Sequence, residues 1–145
     1  MKLIKRIILA LFIITSVGIL FRGGLYRHLV TYKSIGQRTN YDVKETNLAD
    51  YIDENFDKQS NREIQTVIKL GLFVTSKKLN FTAEKNEVDP NKQIKSKTAH
   101  CVGYASFFAT SCNYLLKKYN LSDKWIAKPQ VGQLYFLGTN IHPYL

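Results

Sequence analysis

Cysteine, proline, methionine and tryptophan are all scarce in this sequence of 145 residues, which has two, three, one and one of them respectively. Two cysteines cannot form a disulfide framework, and the sequence has neither a CxxC pair nor cysteine and histidine at zinc-site spacing. We therefore expect no structural metal and no cofactor. With 45% hydrophobic and 22% charged residues, the chain is neither disordered nor fibrous and is long enough for one small core.

Acidic residues are absent from the first 38 positions, which carry seven of the 21 lysines and arginines. The net charge of +10 would by itself suggest nucleic acid or an anionic membrane as a partner. The rest of the chain is only +3, however, because its fourteen bases are set against all eleven acids. It also lacks a stripe in which basic and aromatic residues alternate, so nucleic acid is not a predicted partner.

Polar residues are nearly missing from the 15-residue run Ile7–Phe21, whose only polar members are Thr15 and Ser16. Three basic residues precede the run, so residues 1–22 are predicted to be a membrane anchor or a signal. A helix of this length spans roughly 22 Å, which is shorter than a hydrocarbon core of roughly 30 Å unless flanking residues extend it. The run ends without a triplet of the A-x-A kind, which favours an uncleaved anchor. We expect a single-pass membrane protein with its domain on the extracytoplasmic side.

The sequence after the apolar run divides into a linker and a folded domain. Residues 23–41 alternate glycine, tyrosine and polar residues without sustained periodicity, which predicts a juxtamembrane linker. The domain is then expected over residues 42–145. Apolar residues at helical spacing predict a first helix over roughly residues 47–57. The capping-box pattern Ser60-x-x-Glu63 predicts the start of a second helix that ends near Lys78.

The segment 80–97 is polar and is predicted to be a loop. Asp89-Pro90-Asn91-Lys92 indicates a turn, because proline presets φ and the flanking side chains favour local hydrogen bonds. Glu87, Asp89 and Asn91 alternate in the manner of a calcium loop, but the glycine and the distal glutamate of such a loop are missing. We therefore interpret them as a solvated turn and predict no metal site.

A third helix is predicted from an N-cap at Thr98 to about Lys118, with an apolar stripe of Cys101, Ala105, Phe108, Cys112 and Leu115. This cap would make Cys101 the third helical residue, where unpaired backbone N–H groups and the positive end of the helix dipole favour a thiolate. Such a position suits a nucleophile. The alternative is a buried small hydrophobe, the role that we assign to Cys112. A rise of about 16 Å between the two cysteines excludes a disulfide within one helix.

The stretch Lys97-Thr98-Ala99-His100-Cys101-Val102-Gly103-Tyr104-Ala105, followed by Phe108, resembles the nucleophile segment of the transglutaminase-like superfamily. In that family Cys-x-Gly-Tyr-Ala opens the central helix of a papain-like fold. Extended over residues 47–145, the resemblance implies an α+β domain behind the N-terminal transmembrane helix, with helices and the start of an antiparallel sheet. It also implies a Cys-His-Asp triad and acyl transfer at glutamine or peptide bonds of a peptide or protein substrate.

The candidate base is His142, which lies 41 residues after Cys101 and beyond a predicted strand over residues 130–137. Pro143 follows directly and would remove a donor from a strand ladder, and no residue after His142 can serve as third triad member before Leu145. Three explanations are open: a chain truncated before its His and Asp strands, a pseudoenzyme, or an unusual dyad of Cys101 and His142. We favour the first two.

Two functions remain open for the domain. In the first, a membrane-anchored transglutaminase-like cysteine domain carries out acyl transfer or peptide hydrolysis through Cys101 and His142, with little activity in the chain as written. In the second, a non-catalytic module binds peptides or proteins in a groove along Tyr104 and Phe108. His100 is not the predicted base, because side chains of adjacent helical residues point about 100° apart.

Overall fold

The computed structural model describes residues 2–56, 63–141 and 143. Helices and strands are both present, so the fold is α+β, as expected. In chain order the elements are α1 (Lys2–Leu20), α2 (Arg22–Leu29), β1 (Val30–Gln37), α3 (Thr46–Glu54), α4 (Ile64–Lys78), β2 (Asn80–Phe81), α5 (Pro90–Ser96), β3 (Thr98–Ala99), α6 (Cys101–Lys118), β4 (Gln130–Phe136) and β5 (Thr139–Asn140).

The described residues form two compact units. One comprises the chain up to Ile35 together with the chain from Gly132 onward, and the other is Gly36–Val131. These boundaries differ from the predicted ranges, since one division falls inside the predicted linker 23–41 and the other inside the predicted domain 42–145. The linker is also not irregular, because residues 23–41 contain most of α2 and all of β1.

The N-terminal apolar run forms α1, which exposes large side chains along its length, such as Phe12 and Leu20 at 69% and 78%. Among the described residues, length and apolar character sufficient to cross a membrane are found in no single helix. They are reached only by Ile4–Leu20 and Arg22–Leu29 taken together, two helices bent by 65°. The run predicted to be an anchor or signal lies within the first helix of this pair and the residue that follows it.

The first unit also holds most of a three-stranded sheet in the order β1-β4-β5. Strand β4 confirms the strand predicted over residues 130–137, and it runs antiparallel to β5, with Phe136 opposite Thr139. Leu137 and Gly138 connect the two strands with φ angles of 48° and 81°. A two-residue connection with positive φ at both positions matches the twist of a β-hairpin, and glycine adopts such a φ without strain.

The second unit is built around α6, which packs on α4, α5 and β3. The predicted helices over 47–57 and up to Lys78 are confirmed as α3 and α4. Glu63 is the N-cap of α4 and not its third residue, so the start predicted from the capping box is wrong, and Ser60 of that pattern lies outside the described residues. Ten of the buried hydrophobic side chains among the described residues form one cluster, consisting of Leu48, Ile52, Val67, Leu79, Ile94, Ala99, Phe107, Cys112, Leu115 and Leu116.

The predicted apolar stripe of α6 is only partly right. Cys112 and Leu115 are buried, but Cys101 is exposed, and the fully buried aromatic residue is Phe107. The buried side also carries the small hydroxyl residues Ser106, Thr110 and Ser111. An apolar periodicity cannot find these positions, because small polar side chains are buried where neighbouring segments come close.

Helices α4 and α6 pack closely where Gly71 faces Cys112. A Cβ atom added to Gly71 would lie 2.5 Å from Cys112 Sγ and 3.1 Å from Phe108 Cε2. The thiol of Cys112 is directed at the carbonyl oxygen of Val67, 3.9 Å away, and burial raises the pKa of Cys112 to about 12. Cys112 is therefore the buried small hydrophobe that the sequence predicts.

Candidate functional site

The polar segment predicted as a loop contains the helix α5. Asp89 is its N-cap and accepts a hydrogen bond from the backbone N–H of Asn91 at 3.0 Å, and Pro90 occupies the first turn. The turn predicted at Asp89–Lys92 is therefore wrong. The same residue types favour a helix start, because aspartate satisfies an orphan N–H group and proline has none to satisfy.

Asn91, which is 7% exposed, fixes α5 to the chain that leads into α3. Its Oδ1 accepts hydrogen bonds from the backbone N–H groups of Lys44 at 2.8 Å and Glu45 at 3.1 Å. Its Nδ2 donates to the backbone oxygen of Asp42 and to Asp89 Oδ1, both at 3.0 Å. One buried amide thus satisfies backbone groups 46 and more residues away in the sequence.

The chain reverses at Lys97, the C-cap of α5, whose φ is 60°, and then enters β3. Strand β3 pairs in parallel with β2, with Thr98 opposite Asn80. Thr98 is therefore a strand residue and not the predicted N-cap. Its hydroxyl oxygen accepts a hydrogen bond from Asn86 Nδ2 at 2.6 Å.

Helix α6 begins at Cys101, with His100 as its N-cap. The His100 backbone is extended, at φ −89° and ψ 179°, and its Nδ1 accepts a hydrogen bond from the backbone N–H of Val102 at 3.2 Å. Cys101 is thus the first helical residue and not the third, and its exposure rules out the role of a buried hydrophobe. It remains in the first turn, where the helix dipole is positive.

Other side chains of the protein lie close to Gly103, so the space that this glycine leaves is not open to a substrate. A Cβ atom at this position would collide with Gln93 Nε2 and would lie 2.9 Å from the Cβ of Ala99. Gln93 is fully buried and donates from Nε2 to the backbone oxygen of Glu87 at 2.8 Å. The glycine therefore allows α5 and β3 to pack against the start of α6.

The two aromatic residues predicted to line a groove face different surroundings. The half-buried Tyr104 donates from its hydroxyl to the backbone oxygen of Leu79 at 2.5 Å and packs on the core. Phe108 instead lines an apolar cleft of about 400 Å³ together with Ile64, Val67, Ile68, Cys112, Leu116, Trp125, Ile126 and Ala127. The hydroxyl of Tyr104 is thus engaged by the protein itself.

A second cleft, of about 380 Å³, lies at the start of α6, and we call it the cationic cleft. His100 and Val102, the two sequence neighbours of Cys101, both line it. The other lining residues are two cations, three hydroxyl residues, an amide and a valine, namely Arg38, Lys85, Thr39, Tyr41, Ser106, Asn86 and Val88. Within the part of the chain that the structure describes, the lining includes no carboxylate.

Three lysines of the second unit pair with acids: Lys92 with Glu87, Lys117 with Asp42 and Lys118 with Asp53. Arg38 and Lys85 have no carboxylate within 4 Å among the residues that the structure describes. Glu87 lies two residues from Lys85, but its carboxylate does not neutralise the charge of Arg38 or Lys85. The backbone N–H of Asp89 and the ammonium of Lys92 bind its carboxylate and hold the pKa of Glu87 below its ordinary value.

The two residues predicted to act together have different outcomes. Cys101 is an exposed thiol at the start of α6. His142 lies outside the described residues, so the proposed dyad stays a prediction. Sequence reasoning missed Arg38, Lys85 and Ser106, because it placed the first two in a linker and a loop and left the third unassigned. No motif joins three positions so far apart, and only the fold brings them to one cleft.

Comparison with known proteins found no match for this chain among family models, curated proteins or solved structures. The transglutaminase-like resemblance therefore depends on residues 97–108 alone.

Proposed function

We propose that this protein is a membrane-anchored, transglutaminase-like cysteine domain in which Cys101 attacks amide carbonyl groups of peptides or proteins. The observation that carries the proposal is an exposed thiol on the first residue of an 18-residue helix, whose two neighbours in the sequence, although not Cys101 itself, line a cleft. Backbone N–H groups at a helix N-terminus favour the thiolate, which is the nucleophilic form of cysteine.

In this mechanism the Cys101 thiolate forms a bond to the carbonyl carbon, and the carbon–nitrogen bond of the amide breaks. The leaving amine takes a proton from an imidazolium, the role proposed for His142. Water then hydrolyses the thioester to a carboxylic acid, or a second amine converts it to a new amide. Either route returns the thiol, so the cycle needs no oxidant, metal or cofactor.

His100 supports the position of the thiol but is a poor proton donor for the amine. Its Nδ1 accepts the N–H of Val102, which leaves only Nε2 to carry or exchange a proton without loss of the cap. General acid–base assistance is worth about 10² to 10⁴-fold, and a histidine without an orienting partner loses part of it. We therefore expect slow turnover by this chain, limited by proton transfer to the leaving group.

We further propose that α1 holds the domain at a membrane. Its exposed side chains, among them Ile4, Phe12 and Leu20, are large and apolar, and water is an unfavourable environment for them. Burial at the centre of a bilayer is favourable by about 0.3 to 0.6 kcal/mol for each such side chain. The domain is then presented on the extracytoplasmic side.

The second candidate is a binding module that recognises peptides or proteins without chemistry. The cationic cleft favours it, because unpaired cations and hydroxyl groups suffice for recognition even when the thiol takes no part. The two candidates differ in one respect that can be measured, which is covalent capture of Cys101.

The deciding experiment uses the full chain and a peptidyl vinyl sulfone, with iodoacetamide as an untargeted reference for thiol reactivity. For each thiol, the rate of labelling by the vinyl sulfone is divided by the rate of labelling by iodoacetamide. We expect this ratio to be at least tenfold higher for Cys101 than for glutathione. Cys101→Ala should abolish the label, whereas Cys112→Ala, the matched control with the buried cysteine removed, should retain it. Equal relative rates for Cys101 and glutathione would contradict the nucleophile proposal and favour the binding module.

Turnover of casein and of a glutamine-donor substrate tests the expected slow step. Slow product formation that both Cys101→Ala and His142→Ala abolish would support the dyad. Rapid turnover that depends on both residues would also support the proposed function, but it would contradict the limitation by proton transfer.

A further inference from the structure

The side chains that line the cationic cleft offer hydrogen-bond donors that the proposed thiol chemistry does not use. Arg38 lies just after β1, Lys85 lies between β2 and α5, and His100 caps α6, so three separate parts of the second unit bring basic side chains to it. With Nδ1 occupied as an acceptor, the neutral His100 ring carries its proton on Nε2 and offers a donor there.

Ser106 provides a second and independent observation. It is 2% exposed and lines the cleft, and its hydroxyl makes no hydrogen bond to any residue that the structure describes. The hydroxyl oxygen is not one of the fully buried polar atoms that lack a hydrogen-bond partner, so it is open to the cleft and can bind water or a ligand there. A group that enters the cleft with acceptor oxygens would satisfy it.

We propose that the cationic cleft binds a peptide through one of its carboxylates, which pairs with Arg38 and Lys85 and accepts a hydrogen bond from Ser106. A carboxylate has two acceptor oxygens, and a guanidinium binds both of them in one plane. Among the residues that the structure describes, no acid in the lining competes for these cations.

The size and lining of the cleft indicate that the carboxylate belongs to a larger molecule. Ligand pockets typically have volumes of about 300 to 1,000 Å³, and the cleft, at about 380 Å³, is within this range. Val88 and Val102 add apolar contact area that an isolated ion cannot use. Cys101 is not itself a lining residue, but its sequence neighbours His100 and Val102 are. We therefore assign the bound peptide to the substrate class of the proposed acyl transfer, and this last identification rests on the proposed function.

Binding is tested by fluorescence polarisation with the full chain in its Cys101→Ser form, so that no covalent product forms. Three labelled peptides of one apolar sequence are compared: one with a free C-terminal carboxylate, one amidated, and one amidated with an internal glutamate. We expect at least one carboxylate peptide to bind about tenfold or more tightly than the uncharged one, as a charge-assisted hydrogen bond would give. The two carboxylate peptides distinguish a chain terminus from an acidic side chain.

Substitutions then assign the contacts. Arg38→Gln and Lys85→Gln should each weaken binding of the carboxylate peptide about tenfold, and Ser106→Ala should weaken it several-fold. The matched control is Lys124→Gln, which removes an exposed lysine outside the cleft and should change affinity less than twofold. Thermal melts of each variant verify folding. Arg38 and Lys85 are exposed, so their substitution is not expected to lower the melting temperature.

Equal affinity for all three peptides would overturn the inference, and so would an equal loss of affinity in Arg38→Gln and Lys124→Gln. The peptide assignment would also be overturned if inorganic phosphate displaced the peptide at concentrations near the dissociation constant of phosphate itself. Failure of the proposed function has a different signature: Cys101 would resist the vinyl sulfone while the carboxylate selectivity persists. Selective labelling of Cys101 without carboxylate selectivity would count against the inference alone.

Discussion

Replacing Gly71 with alanine should destabilise the second unit because the new methyl group has no room. Its Cβ would lie 2.5 Å from Cys112 Sγ and 3.1 and 3.2 Å from two ring carbons of Phe108, so the thiol, the ring or the helices that carry them must shift. Overpacking of this kind typically costs about 1 to 3 kcal/mol. The higher helix propensity of alanine returns about 1 kcal/mol. We therefore expect a net loss of up to about 2 kcal/mol in the free energy of unfolding.

A double-mutant cycle with Cys112→Ala isolates the cause. Cys112→Ala alone should cost about 1 kcal/mol as a small change in the core. In that background the sulfur atom is gone, so Gly71→Ala should be tolerated, with a favourable coupling of at least about 1 kcal/mol. Urea titrations followed by circular dichroism measure each free energy, and Gly36→Ala, where an added Cβ meets nothing within 4 Å, is the control. Additive losses in the double variant would refute the contact.

Three further predictions concern the thiol, the buried amide and the anchor. Burial raises the pKa of Cys112 from its ordinary value of 9.0 to about 12, so above pH 9 the unfolded chain releases a proton that the folded chain retains. The stability from this group is therefore complete below pH 9. Towards pH 12 the free energy of unfolding falls by up to about 1.4 kcal/mol per pH unit. Cys112→Ala should reduce this slope when unfolding is measured at about pH 8 and about pH 10.5. Asn91→Ala leaves the backbone N–H groups of Lys44 and Glu45 without their acceptor and should cost about 2 to 4 kcal/mol in thermal or urea unfolding, whereas a loss below 1 kcal/mol would show that water replaces the amide. The full chain should stay with membranes after a carbonate wash, and its recovery in the soluble fraction would contradict the anchor.

The elements that the sequence predicts best are those with a long apolar period. Helices α4 and α6 and strand β4 all lie within a residue or a few of their predicted bounds. Their burial pattern repeats over several turns or over a full strand, so a single misread residue changes little. The start of α6 is predicted less well, because Thr98 and His100 are both possible caps and the pairing with β2 decides between them.

The short polar elements could not be predicted in this way. Helix α5 has seven residues, and its buried side includes Asn91 and Gln93, so no apolar stripe marks it. The sequence Asp89-Pro90 suits both a turn and a helix N-terminus, and the choice depends on Asn91, three of whose partners are more than 45 residues away. The cationic cleft is unpredictable for the same reason, since its cations lie on segments without any period.

His100 links the fold to the proposed chemistry. Its adjacency to Cys101 invites the reading of a catalytic pair, but its Nδ1 accepts the N–H of Val102 and so holds the first turn of α6 in place. A second proton on this ring would remove that acceptor, and the cap is worth about 1 kcal/mol. An imidazole that must keep Nδ1 unprotonated cannot act as an imidazolium acid without loosening the helix that presents the thiol. The separation of these roles is the physical reason for assigning the proton donor to a residue outside this turn.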